Sequence, residues 1–115
     1  MSTPAKRKGD RAELEAAAIL TDLTGFRVQR KLGAGRQEDT GDLWGVPDTV
    51  IQVASWPSDV LRSIREKVRG AVQQQAHAGA TFGAAMIKLP RAGWIVCMTP
   101  EQYATYIRES LQDRP

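Results

Sequence analysis

Thr49-Val50-Ile51-Gln52-Val53-Ala54-Ser55 is the stretch on which the fold turns. It is short, apolar and preceded by the turn residues Val46-Pro47-Asp48, a pattern that predicts a strand. Pro57 then opens a long stretch with Val60, Leu61, Ile64, Val68, Ala71 and Val72 at helical spacing, and Gly79 ends it. The apolar run Phe82 to Leu89, the turn Pro90-Arg91-Ala92-Gly93 and a strand from Trp94 to Met98 follow. A long helix between two strands permits a parallel crossover, whereas tight turns force antiparallel neighbours, so the sheet should be mixed.

Upstream, Asp42-Leu43-Trp44-Gly45 is a strand candidate that forms a hairpin with Thr49 to Ser55, and Phe26-Arg27-Val28-Gln29-Arg30 alternates apolar and polar like a half-buried strand. Between them Lys31 to Thr40 has no period, and Gly33-Ala34-Gly35 marks a loop. Asp10 suits the cap of a helix reaching about Leu23, with Gly25 as its left-handed stop. Residues 1–8 are expected to be a flexible basic arm and 9–115 a single domain. Thr99-Pro100-Glu101-Gln102 is a capping box that starts a last helix to about Leu111. The expected order is α-β-β-β-α-β-β-α, an α/β fold whose mixed five-stranded sheet is flanked by helices.

With 115 residues the chain can bury one core, and 42% hydrophobic with 25% charged residues is the balance of a soluble globular protein. No apolar run approaches the roughly 20 residues of a membrane span, and no apolar segment follows Lys6-Arg7-Lys8, so neither membrane insertion nor secretion is expected. The single cysteine, Cys97, reads as a buried structural thiol in a reducing, cytoplasmic setting, in a bacterial or phage-infected cell. Walker, dinucleotide-fingerprint and zinc-ligand patterns are absent, and His77 has no nucleophile pattern beside it. The net charge of +3 is mild, but its distribution is not even. Lys6, Arg7, Lys8 and Arg11, then Arg27, Arg30, Lys31 and Arg36, flank an acidic centre of Glu38, Asp39, Asp42 and Asp48. Such an arrangement suits a site holding phosphates together with a cation.

If the Asp42 and Gln52 strands are antiparallel neighbours, their side chains can converge at one sheet edge. A hard cation such as Mg²⁺ takes oxygen ligands, and a carboxylate, an amide oxygen and the Val53 carbonyl would supply them. Glu13 could complete the set from the first helix, because Ala17 and Leu20 place it partly along the apolar stripe. The same glutamate also favours the helix start, Asp42 also suits a turn after Gly41, and Gln52 also suits an exposed strand position. Gln73, Gln74 and Gln75 read as solvated helix polarity, with contact to DNA or a metal-bound water as the alternative. Trp44 and Trp56 lie beside the candidate site, and Trp56 is either packing or a stacking platform for an unpaired base.

Taken together, Lys8-Gly9 with Ala12-Glu13 and Glu15, Gly25-Phe26-Arg27-Val28 with Arg30, Gly41-Asp42-Leu43, and Trp94 at the head of a late strand resemble the archaeal-type Holliday junction resolvases of the PD-(D/E)XK nuclease superfamily. The resemblance spans most of the chain. It implies a restriction-endonuclease-like sheet, Mg²⁺ with Mn²⁺ able to substitute, and a homodimer cutting four-way or otherwise branched DNA. Glu13 and Asp42 take acidic roles by this match, and the E-x-K motif falls on Gln52-Val53-Ala54. Glutamine can still ligate a cation, but Ala54 cannot do the work of the lysine. Some nucleases of the superfamily supply that group from an adjacent helix, and Lys67 borders the buried stripe of the next one. Lys67 is thus the candidate replacement, and a solvated lysine whose stem covers apolar surface is the plainer reading. The other consequence of Ala54 is a protein that binds junctions without cutting them. Phosphate contacts are expected from Lys6, Arg7, Lys8, Arg30, Lys31 and Arg36.

Overall fold

Strand Thr49–Ser55 (β3) pairs in parallel with Phe82–Leu89 (β4) over its whole length, from Thr49 opposite Phe82 to Ser55 opposite Lys88. In this computed structural model residues 4–31, 42–55 and 59–112 are described, with side chains in the first helix described from Gly9. The other elements are α1 (Pro4–Thr24), β1 (Gln29–Arg30), β2 (Leu43–Trp44), α2 (Val60–Ala78), β5 (Gly93–Cys97) and α3 (Pro100–Leu111). The five strands lie in chain order, β1-β2-β3-β4-β5, and every pairing except β3 with β4 is antiparallel. The protein is therefore α/β, with a mixed five-stranded sheet and three helices. None of the described helices is long and apolar enough to cross a membrane.

Successive side chains of a strand leave opposite faces of the sheet, and β3 is buried on both. Ile51 and Val53 join Leu43, Met86 and Val28 in a cluster with Ala12, Ala16 and Ala17, so this face is covered by α1. Alanines let the helix backbone come close to the strands. Gln52 faces the other way, against Gly70 and Gln74 of α2. Gly83 of β4 belongs to the same face, where an added Cβ would lie 3.1 Å from the Ala71 carbonyl oxygen. The two helices thus sandwich the parallel pair.

Several boundaries differ from those the pattern predicts. Helix α1 starts at Pro4, not Asp10, so the segment expected to be a basic arm runs mostly as helix. Proline is well placed at a first helical position, and Ala5, Lys6, Arg7 and Lys8 are all good helix formers. At the other end Gly25 has φ 80° and donates its N–H to the Thr21 carbonyl at 2.9 Å, as its reading as a stop requires. Strand β1 keeps only the last two of its five expected residues because Val28 is already satisfied. Its N–H donates to the Thr21 hydroxyl at 3.0 Å, and that hydroxyl donates to the Val28 carbonyl at 3.3 Å. In α2 the expected apolar stripe is partly displaced: Leu61 and Val72 are exposed, while Ala71 and Gln74 are buried. Cys97, expected to be buried, is half-buried, and burial raises its thiol pKa.

Helix α3 is docked by an amide network. Gln102 gives its backbone N–H to the Thr99 hydroxyl at 3.1 Å, which is one half of a capping box. Its side chain does not return to the cap. Instead Gln102 Oε1 accepts from the Gly83 N–H at 3.0 Å, and Nε2 donates to Gln75 Oε1, whose own amide nitrogen donates to the Ala80 and Thr81 carbonyls at 2.8 and 3.3 Å. The Phe82 and Tyr106 rings, with centroids 4.4 Å apart, close the joint. Gln102 is 8% exposed, so truncation leaves the buried Gly83 N–H without its partner. Gln102→Ala is expected to destabilise the fold by about 2 kcal/mol, read as a lower urea midpoint. A loss below about 0.5 kcal/mol would show that the Gly83 bond is not the stabilising element.

Candidate functional site

Asp42 stands immediately before β2, where the hairpin register delivers it to the middle of β3. Its N–H donates to the Ile51 carbonyl at 2.8 Å, and its carbonyl accepts from the Lys31 N–H at 2.8 Å. Its carboxylate folds back so that Oδ2 accepts from the Val53 N–H at 2.8 Å. The aspartate is therefore fixed by three backbone contacts to the strands on both sides.

Glu13 approaches from α1. Its carboxyl is half-buried, and its pKa is raised first by that burial and then by the negative charge of Asp42, with Asp10 adding to the effect. Arg30 of β1 opposes it: its Nε lies 3.4 Å from Glu13 Oε1, and its Nη2 donates to Asp10 Oδ1 at 2.8 Å. The guanidinium expected to hold phosphate is thus engaged by two carboxylates one helical turn apart, Asp10 and Glu13. Spacing i to i+3 was the sequence signal for that pair. Its consequence for Arg30 was not visible, because the partner comes from another strand.

Glu13 and Asp42, then, are brought together electrostatically. Gln52 is not with them. It is buried at 6% exposure and turns to the α2 face, where its Nε2 donates to Oε1 of Gln74, also 6% exposed. The reading of Gln74 and Gln75 as solvated is corrected by these contacts: two apolar packing faces leave a buried strand amide, and a second amide opposite satisfies it. Lys67 is half-buried one turn before Gly70 and two turns before Gln74, so it shares the helix face that meets Gln52. Ala54, two residues after Gln52 on the same side of β3, is half-buried and contributes no polar group.

Lys6, Arg7 and Lys8 lie on the first turns of α1, Lys31 follows β1, and Arg36 lies outside the described residues, as does Trp56. Glu15, at the end of the motif that opens the chain, has a structural task. It accepts from Lys88 Nζ at 2.7 Å and from the Trp94 indole N–H at 2.8 Å, and these contacts lower its pKa. The late-strand tryptophan is in this way tied to α1.

Two carboxylates from α1 and the head of β2 supply oxygen donors and a negative field that Arg30 offsets only in part, since the Glu13 pKa is still raised, and oxygen donors of this kind are what a hard divalent cation takes. Among the described residues no cluster of three or more His, Cys, Asp or Glu side chains forms, so main-chain oxygen and water would have to complete the coordination. Comparison with protein-family models, curated proteins and solved structures gives no match to this chain.

Proposed function

We propose that this protein is a divalent-metal-dependent endonuclease for branched DNA, with a restriction-endonuclease-like fold similar to that of archaeal-type Holliday junction resolvases. One observation carries the reading: the Glu13 carboxylate is held, partly buried, in the field of Asp42, an arrangement unfavourable for the protein alone and favourable once a cation is shared.

In this reading Asp42 and Glu13 hold Mg²⁺ or Mn²⁺ together with the Val53 carbonyl. Gln52 is left out of the ligand set because its side chain turns to the α2 face, where its Nε2 donates to Gln74 and its Oε1 lies near Gly70. The bound cation supplies charge neutralisation and a more acidic water beside the phosphodiester. The chain's own groups set the geometry. The Val53 N–H fixes one Asp42 oxygen, Arg30 holds Asp10 and Glu13 on one side, and the basic sequence of Lys6, Arg7, Lys8 and Lys31 meets phosphates without reading bases. Lys67, the candidate for the lysine missing at Ala54, shares the α2 face with Gln52, so its part in the reaction requires its long side chain to reach past the sheet edge to Asp42. Two symmetric cuts in a four-way junction require two copies of the chain about a two-fold axis.

Ala54 favours one competing reading, a junction-binding protein that does not cut. Incubating the protein with a labelled four-way junction and Mg²⁺ or Mn²⁺ separates them. Cleavage is expected, lost in Asp42→Asn and reduced about 100-fold in Lys67→Ala, the smaller end of a general acid or base contribution. Undiminished cutting by Lys67→Ala would remove the lysine from the mechanism. Tight, salt-sensitive junction binding without cleavage in either metal would establish the non-cutting alternative, and a rate gained in Ala54→Lys would then show that only the lysine had been lost.

A further inference from the structure

Trp44 is an indole that the fold leaves 54% exposed, at the end of a two-residue strand and on the face opposite Leu43. It lines a cleft of about 460 Å³ between β2 and the C-terminal end of α2, within the roughly 300–1,000 Å³ that small-molecule sites occupy. Val46 and Val50 give the cleft an apolar floor, while Lys31, His77 and Asp48 stand in its walls. The tryptophan is held by its backbone. Gly45, next in sequence, packs so tightly on the Arg27 carbonyl that the chain has little freedom there, and Asp48 is tied through Oδ1 to the Thr81 N–H at 2.9 Å. Two residues of the lining are backbone neighbours of Asp42: the Lys31 N–H donates to the Asp42 carbonyl, and Leu43 follows Asp42 in sequence.

A flat aromatic surface, an apolar floor and cationic or hydrogen-bonding groups around the rim match one ligand chemistry: a nucleotide whose base is unpaired. The base stacks on Trp44, Lys31 and the His77 ring N–H meet its phosphate, and Asp48 accepts N–H groups of the base edge. We propose that this cleft takes an unpaired DNA nucleotide beside the strand segment that carries Asp42, so that the protein selects DNA with an open or distorted strand. The inference rests on the DNA reading above and adds to it the structural feature the site recognises.

Fluorescence anisotropy in EDTA tests it without any cleavage. The probes are labelled oligo-dT and oligo-rU of about ten nucleotides, a length within the range that aromatic single-strand sites cover, and a blunt duplex of the same length. Trp44→Ala is expected to weaken oligo-dT binding about 30-fold, the middle of the range for one lost stack, and duplex binding by less than twofold. Trp44→Phe should keep most of the affinity. The exposed side chain makes both variants foldable, which circular dichroism verifies. Equal oligo-dT affinity in wild type and Trp44→Ala, or an equal loss on the duplex, would overturn the proposal while leaving junction cleavage untouched. Tighter binding of oligo-rU than oligo-dT would overturn the assignment to DNA. Trp44-dependent oligo-dT binding in a protein that cuts no junction would leave the cleft standing and remove the nuclease reading instead.

Discussion

Glu13→Gln is expected to make the protein more resistant to unfolding at neutral pH and, at the same time, to abolish its response to divalent cations. The raised pKa of Glu13 is the net result of burial, Asp42 and Asp10 against Arg30. A carboxyl whose pKa is higher in the folded than in the unfolded chain favours folding below its unfolded value, and that contribution disappears as pH rises through the folded value. Above that window the charge opposes folding. The neutral amide removes the opposition and keeps an acceptor for Arg30 Nε, which lies 3.4 Å from the carboxylate and has no other hydrogen-bond partner. The difference in Tm between variant and parent should therefore be near zero at about pH 4, around the ordinary glutamate value, and grow towards pH 7. Divalent metal should act in the opposite sense. At ten times its Kd, Mg²⁺ bound only to the folded state adds about 1.4 kcal/mol to the parent and none to the variant. Cleavage should fall about 100-fold or more, since a ligand carboxylate is lost where charge must be neutralised. A variant less stable than the parent at pH 7 would show that the Arg30 ion pair outweighs desolvation. An equal Mg²⁺ shift in both proteins would exclude Glu13 as a ligand.

The contacts of Glu13 show how much of the candidate site is legible in the sequence and why its electrostatic balance is not. Apolar periodicity located β3, β4 and α3, because buried strands and a proline-capped helix are local patterns. Glu13 stood out as a carboxylate on the edge of an apolar stripe, and Asp42 through its place before a strand. What no local pattern contains is the far side of each contact. Arg30 reads as a phosphate ligand until α1 is laid beside β1, when Asp10 and Glu13 claim it. Gln52 reads as a metal ligand until the strand's alternation is fixed by Ile51 and Val53 packing on α1, which turns it to Gln74. A single sheet face decided that outcome, and the hydrophobic pattern of α1 with its small alanines is what set it. The exposed Trp44 gave the weakest signal of all, since a tryptophan in a strand is more often core than platform.

Gly45→Ala is expected to destabilise the protein by about 3 kcal/mol or more, from backbone strain and overpacking acting together. Gly45 has φ 112°, and a Cβ there would stand 2.2 Å from the Arg27 carbonyl oxygen and 3.0 Å from Val28 Cα. Both neighbours are backbone, so neither can swing aside as a side chain would. Val28 is itself anchored to the Thr21 hydroxyl, which passes any displacement to the end of α1. On the other side, the moved residue is three positions from Asp42, whose carboxylate depends on the Val53 N–H for its place. Gly25→Ala is the matching control. Its φ of 80° is also positive, closer to the left-handed well that alanine enters at modest cost, and nothing lies within 4 Å of the added methyl, so the loss should be about 1 kcal/mol. Urea unfolding at constant slope measures both variants, and their difference reports the contact between the chain segments together with the greater backbone strain at Gly45. Equal losses would mean that β2 does not approach Arg27 as closely as this packing requires. A far larger loss at Gly45, with junction cleavage falling further than the unfolded fraction accounts for, would show that the same tight crossing holds both the fold and the position of Asp42.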